Sequence, residues 1–360
     1  MAPRCRDRRR RTGPVSRMLA RLLPPDEIPW EALDRFADRT VFQTRAWLEF
    51  LAETQNAVPV VAELCQESGF AGYFTGLTMR RLGIRILGSS FPGWTTPYIG
   101  FNLLPGVSRR QALQAVETLA FGELKCAHLE VSDRWFSDVD GPDLGFRRKF
   151  FETYETDLLR SEDELFSGME SACRRCIRKA EKSGVRIEEA ADPGFADDYY
   201  EQLKDVFGKQ KLVPTYTVER VRSLIRHLLP TGRLLLVRAL SAEGKCIGTG
   251  IYPGFGEVAE FWGNASLRSS QILRPNEALH WYALRYWKAR GVKVFDWGGR
   301  RPYKEKFGPK PVSVPCFYKS RYRILDTLRD QAQTAVSVKQ RILGRLRPAP
   351  EGAPPAGTVR

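Results

Sequence analysis

Apolar runs recur along this chain in two sets with the same order. Val58–Leu64, Phe70–Thr78 and Ile84–Ser89 read as three strands in hairpin-like succession. A helical period then covers Arg110–Leu119, and a further strand follows at Ala127–Val131. The same elements return at Leu234–Ala239, Ile247–Pro253 and Val258–Asn264, with a helix at Asn276–Arg290 and a strand at Val292–Asp296. The offset stays between about 165 and 177 residues through all five, which predicts an internal duplication of architecture.

Hairpin strands followed by a helix and one more strand imply an α/β fold, with a mixed sheet and helices on its faces. Ser161 and Glu164 form a capping-box pattern that opens a helical segment running to Ser183, broken at Gly168. Further helices are predicted at Phe195–Leu212 and Val218–Leu229. The boundary between the halves is expected near Glu152–Leu159, giving domains at 26–152 and 153–324.

Charge divides the chain differently. Of the net +15, residues 1–25 hold eight arginines against one aspartate, and residues 319–360 hold nine basic against three acidic residues. The body between is nearly neutral, which weakens a nucleic-acid groove there and leaves polyanion or acidic-lipid contact to the ends. Residues 1–25 and 348–360 read as disordered for want of periodic apolar positions. Between 325 and 347, Leu325, Leu328, Ala335, Ile342, Leu343 and Leu346 fall near one helical face, ringed by Arg329, Lys339, Arg341 and Arg345. That face suits an anionic membrane surface or the protein's own body.

No apolar run reaches membrane-spanning length, and no signal-like stretch follows the first arginines, so a cytoplasmic protein is expected, with peripheral contact at the inner membrane face through the basic ends as an option. The seven cysteines show no framework and fit a reducing compartment. Cys173 and Cys176 stand as C-x-x-C without a second pair or nearby histidines, so no metal is expected.

Two motifs carry the candidate chemistry. Arg174, Arg178 and Lys182 stand four residues apart on a helix that Gly184 can end, a stripe that could hold an anionic substrate or be a solvated face. Asp296 closes an apolar strand at the pair Gly298-Gly299, beyond which come Tyr303, Lys304 and Lys306. Lys304 is a candidate oxyanion donor at an acyl centre. Asp296 is a candidate general base, and equally a cap on the glycine turn. There is no P-loop, no G-x-S-x-G and no dinucleotide fingerprint.

The run Arg174–Val185 resembles the Arg-x-x-Ile-Arg-x-Ala-x-x-x-Gly-Val helix of the Fem-type aminoacyl transferases. Phe295-Asp296-x-x-Gly299 with Tyr303-Lys304-x-x-Phe307-Gly308 is similar to their Phe-Asp-x-x-Gly and Phe-Lys-x-x-Phe-Gly elements, and looks equally like the CelD-type (BioF-like) acetyltransferases. Over about residues 40–320 the resemblance implies tandem GNAT-like domains. It implies acyl transfer, acetyl or aminoacyl, to an amine or hydroxyl of an envelope, polysaccharide or metabolite substrate. By motif match Lys304 stabilises charge at the acyl centre, with Asp296 catalytic and Arg174, Arg178, Lys182, Lys306, Tyr303, Gly298 and Gly299 binding substrate. The donor, acyl-CoA or aminoacyl-tRNA, stays open. The glycine-rich coenzyme A loop is replaced by Arg268–Pro275, and no tRNA-contacting helical hairpin has room. A non-catalytic scaffold using basic arms is the alternative. If Lys304 is an oxyanion donor, Lys304→Met should lower turnover by about 100-fold or more and leave the melting temperature nearly unchanged.

Overall fold

A computed structural model describes residues 18–81, 83–89, 91, 94–208 and 214–322. The expected helix at 325–347 and tail at 348–360 lie outside these residues, as do positions 1–17.

Among the described residues the strands are β1 (Leu19–Leu22), β2 (Val58–Gln66), β3 (Gly69–Arg81), β4 (Ile84–Gly88), β5 (Gly100–Leu103), β6 (His128–Ser132), β7 (Arg147–Asp157), β8 (Arg186–Glu189), β9 (Leu234–Leu240), β10 (Cys246–Phe255), β11 (Val258–Glu260), β12 (Gly263–Ser266), β13 (Val294–Asp296) and β14 (Lys310–Ser320). The helices are α1 (Trp30–Leu33), α2 (Arg45–Gln55), α3 (Arg109–Thr118), α4 (Glu162–Ser167), α5 (Ser171–Lys182), α6 (Phe195–Gly208), α7 (Val218–Leu228), α8 (Pro275–Ala289) and α9 (Pro302–Glu305). Ser161 caps α4 through the expected box with Glu164, and the helical segment breaks at Gly168. Leu19–Leu22, expected within a disordered arm, is instead an edge strand paired with Glu63 and its neighbours on β2.

The duplication is present in the hydrogen bonding. In the first half β3 pairs with β4 at Leu77–Arg81 and with β5 at Gly72–Thr75. In the second, β10 pairs with β11 at Gly254–Phe255 and with β12 at Gly248–Ile251, so the expected single strand Val258–Asn264 is two. β4 runs parallel to β6 with Gly88 opposite Glu130, and β11 runs parallel to β13 with Glu260 opposite Asp296.

A sequential cut at 152/153 does not describe the halves. The sheet runs β1-β2-β3-β4-β6-β14-β7-β13-β11-β10-β9-β8. β14, last in the chain, lies beside β6 of the first half, whereas β7, which follows β6 in sequence, lies beside β13 of the second. β7 and β14 pair with each other from Arg147↔Tyr318 to Glu155↔Lys310. The two half-sheets are thereby one sheet. One apolar cluster also joins Trp47, Phe50 and Leu51 of α2 to Leu224 and Leu228 of α7 and Ile251 of β10.

Cleaving the chain after Asp157 should therefore give fragments that do not melt cooperatively alone, because one loses β14 from its sheet and the other holds β14 with neither neighbour. Mixing them should restore a transition in circular dichroism. Cooperative melting of either fragment alone would show two independent domains.

Candidate functional site

Where the halves meet, a cavity of about 310 Å³ opens at the ends of these strands. Phe91, Thr95, Thr96 and Pro97, with Glu130 and Ser132 of β6, form the first-half wall. Lys149, Phe150 and Phe151 of β7 and Cys316 of β14 form the seam. Glu260, Phe261, Trp262 and Gly298 close the second-half side. Arg220 of α7 reaches across to this loop and donates to Trp94 O at 2.5 Å and Thr95 Oγ1 at 3.1 Å.

Asp296 is 0% exposed, and its oxygens are well occupied. Oδ1 accepts from the Thr153 hydroxyl at 2.5 Å and from Gly298 N–H at 2.9 Å. Oδ2 accepts from the Tyr98 hydroxyl at 3.1 Å, and Arg134 lies 3.7 Å away while also pairing with Glu155. Burial pushes the Asp296 carboxyl above its usual range, opposed first by Arg134, while Glu155 adds to the rise. This carboxylate caps the glycine turn and binds the halves together.

Gly298 must be glycine: its φ is +63°, and a Cβ would meet Phe261 O at 2.5 Å. The loop it opens is held by Lys304, 3% exposed, whose ammonium donates to the carbonyls of Trp297, Gly298 (3.3 Å) and Gly299 (3.0 Å). An ammonium has three protons, and three carbonyls are present to take them. Lys304, expected at an acyl centre, is thus engaged by the loop and does not line the cavity. Burial lowers its pKa to about 8, against the opposing pull of Asp296 and Glu260.

The two sequence motifs do meet, although away from the cavity. Glu170 N–H, just before α5, donates to Lys306 O at 2.9 Å. Arg174 donates to Ser167 O at 2.8 Å and to Met169 O, tying down the α4–α5 junction. Arg178 lies over the Phe166 ring, Lys182 is exposed, and Lys306 pairs with Glu277 at 2.6 Å. Of the expected substrate-binding residues, Gly298 alone lines the cavity; Arg174, Arg178, Lys182, Tyr303, Lys306 and Gly299 do not. Cys173 is buried in the α5–α8 core, where burial raises its thiol to about 12.

Glu260 is the residue the motifs miss. It is 3% exposed, it lines the cavity, and its Oε2 makes no hydrogen bond. Burial, reinforced by Asp296, drives its carboxyl well above the usual range, with Lys304 and Arg134 opposing. A signal existed: Val258-Ala259-Glu260-Phe261-Trp262 places one carboxylate inside an apolar strand, as at Asp296. Tyr98, Arg134 and Thr153 had none, since they come from the other half.

Residues 167–305, which contain Glu260, Asp296 and Lys304, match the Acetyltransferase (GNAT) domain family. The match lies within the second half. Together with the repeated strand pattern this makes the chain a tandem GNAT-like fold. No curated protein matches the sequence. Among solved structures FemX is similar with a TM-score of 0.70 at 14% identity, over 84% of this chain and 98% of that chain. L-PGS from Bacillus licheniformis is similar with a TM-score of 0.53 at 13% identity, over 84% of this chain and 94% of that one. At these identities the likeness is one of fold. No helix among the described residues of the GNAT-like pair is long and apolar enough to cross a membrane.

Two predictions follow from the GNAT domain's interior. Lys304→Met leaves three loop carbonyls without their donor, so the melting temperature should fall by several degrees, at about 1 to 3 kcal/mol for an unsatisfied buried group. An unchanged melting temperature with lost turnover would return Lys304 to the acyl centre. His280 is wholly buried, with Nδ1 on the Tyr252 hydroxyl at 3.0 Å and Nε2 unpartnered, and burial, helped by Lys304 and Lys306, lowers its pKa from 6.5 to about 3. Below pH 6.5 the unfolded chain takes a proton there that the folded chain refuses, so stability falls with pH until about pH 3. Relative to His280→Gln, the wild type should lose about 2 kcal/mol between pH 7 and pH 5 in urea titrations. Parallel curves for the two proteins would refute the assignment.

Proposed function

We propose that the GNAT domain catalyses N-acyl transfer in the cavity between the halves, with Glu260 as the general base. The carrying observation is that carboxyl: buried, on the cavity wall, and lacking a partner for one oxygen. A carboxyl whose proton affinity is raised by burial can take a proton from an ammonium and return it to solvent after turnover. The freed amine attacks the acyl carbon, a C–N bond forms, and the donor's thiol or ribose oxygen leaves with the bonding electrons and a proton. Lys304 and Asp296 act as positioning residues that fix the loop at Gly298.

The reading concerns the donor too. Coenzyme A enzymes hold the pyrophosphate on backbone N–H groups at a helix start. Here α8 begins with Arg274 at φ +61°, then Pro275, which has no N–H, and Glu277, a buried acid paired with Lys306. These features favour an aminoacyl ester over an ordinary acetyl-CoA site. The acceptor, an envelope precursor or a metabolite, belongs to this proposal as well.

With any donor and amine pair that turns over, Glu260→Gln should lower kcat/KM by about 100-fold or more, as loss of a general base does. Wild-type turnover in that variant would remove Glu260 from the chemistry. In calorimetry, acetyl-CoA should bind more weakly than about 100 μM, by analogy with anion sites lacking a backbone cradle, and charged tRNA more tightly. Low-micromolar acetyl-CoA binding that survives moderate salt would reverse the donor preference.

A further inference from the structure

We infer that this cavity takes its acceptor as an organic ammonium carried on an apolar or aromatic body, and rejects anions; the inference rests on the acyl-transfer reading above. The chemistry of the wall is the argument. Phe91, Phe150, Phe151, Phe261 and Trp262 contribute rings, whose faces attract cations and offer nothing to a carboxylate or phosphate.

The charged residues on the wall, among those described, are Glu130, Lys149 and Glu260. Lys149 Nζ lies 2.5 Å from Glu130 Oε1, so this cation is already matched inside the protein. Glu260 Oε2 is buried without a hydrogen-bond partner. The wall therefore carries one carboxyl group more than it has cations. A ligand ammonium supplies the missing charge, whereas a ligand anion would meet two carboxyl groups and an engaged lysine.

No basic group nearby reverses this balance. Lys304 and Arg134, behind the wall, are each set against a carboxylate there, Asp296 and Glu155, and the α5 stripe lies outside the lining. On this reading the cavity does not take the anionic substrate expected from that stripe. A volume of about 310 Å³ is at the small end of ligand sites, so it holds an amine with a compact body, or the amine-bearing end of a larger acceptor.

Three probes with one ring separate the possibilities: tyramine, its alcohol tyrosol, and 3-(4-hydroxyphenyl)propionate. Each is titrated into the full chain with no acyl donor, by calorimetry and by tryptophan fluorescence. Tyramine should bind at least about 10-fold more tightly than either analogue, and Glu260→Gln should erase that preference. Equal or tighter binding of the carboxylate, a preference unchanged in Glu260→Gln, or no binding of tyramine would each overturn the inference. If the variant melts early, the order of the three probes on the wild type decides alone. Because no donor is present, failure of acyl transfer would be seen separately, as an absence of turnover in a protein that still prefers tyramine.

Discussion

The antiparallel pairing of β7 with β14 is the contact on which the rest of the molecule depends. Each strand has been delivered to the half that did not precede it in sequence, so neither half closes its sheet unaided. Register then does further work. It brings Glu155 and Thr156 beside β13 and sets Lys149 opposite Cys316 on adjacent strands, both on the cavity wall. The cavity is a product of this exchange and belongs to neither half.

Charge is buried at the seam on a scale that needs explanation. Tyr98 hydrogen-bonds to Asp296 and Arg134 to Glu155, with Arg134 3.7 Å from Asp296, and desolvating such ions costs several kcal/mol each unless partners are complete. Both oxygens of Asp296 have hydrogen-bond donors, and removing one member would strand the others. Glu260, one strand away, is the exception. A buried carboxyl left short of partners is unfavourable for folding alone, and a cavity at its side gives the reason for keeping it.

Much of the fold is legible in the sequence because hydrophobic periodicity reports which face of an element is covered. The five repeated elements, the break at Gly168 and the Ser161 cap all have local causes, and local causes can be read. The strand exchange cannot, since the runs at Arg147–Asp157 and Lys310–Ser320 would look the same beside either partner. The site divides in the same way. Asp296 and the glycine pair stand out as a carboxylate and a break at the end of an apolar strand. Lys304 also stands out, yet a motif cannot say whether its ammonium turns toward a ligand or toward its own loop. The arginines of α5 mislead because a charged helical face looks alike whether it meets substrate, backbone carbonyls or water.

The registers of the two halves match, but their side chains do not: Gly88 faces Glu130 where Glu260 faces Asp296. A glycine can accept no proton, so the first half has the scaffold of a reactive centre without its reagent. Its Glu130 has turned to Lys149 and become part of a wall. The two halves thus share a backbone plan and differ in the side chains set on it. Because the exchanged strands tie the two together, the ratio between them is fixed at one to one, and neither can be lost by dilution.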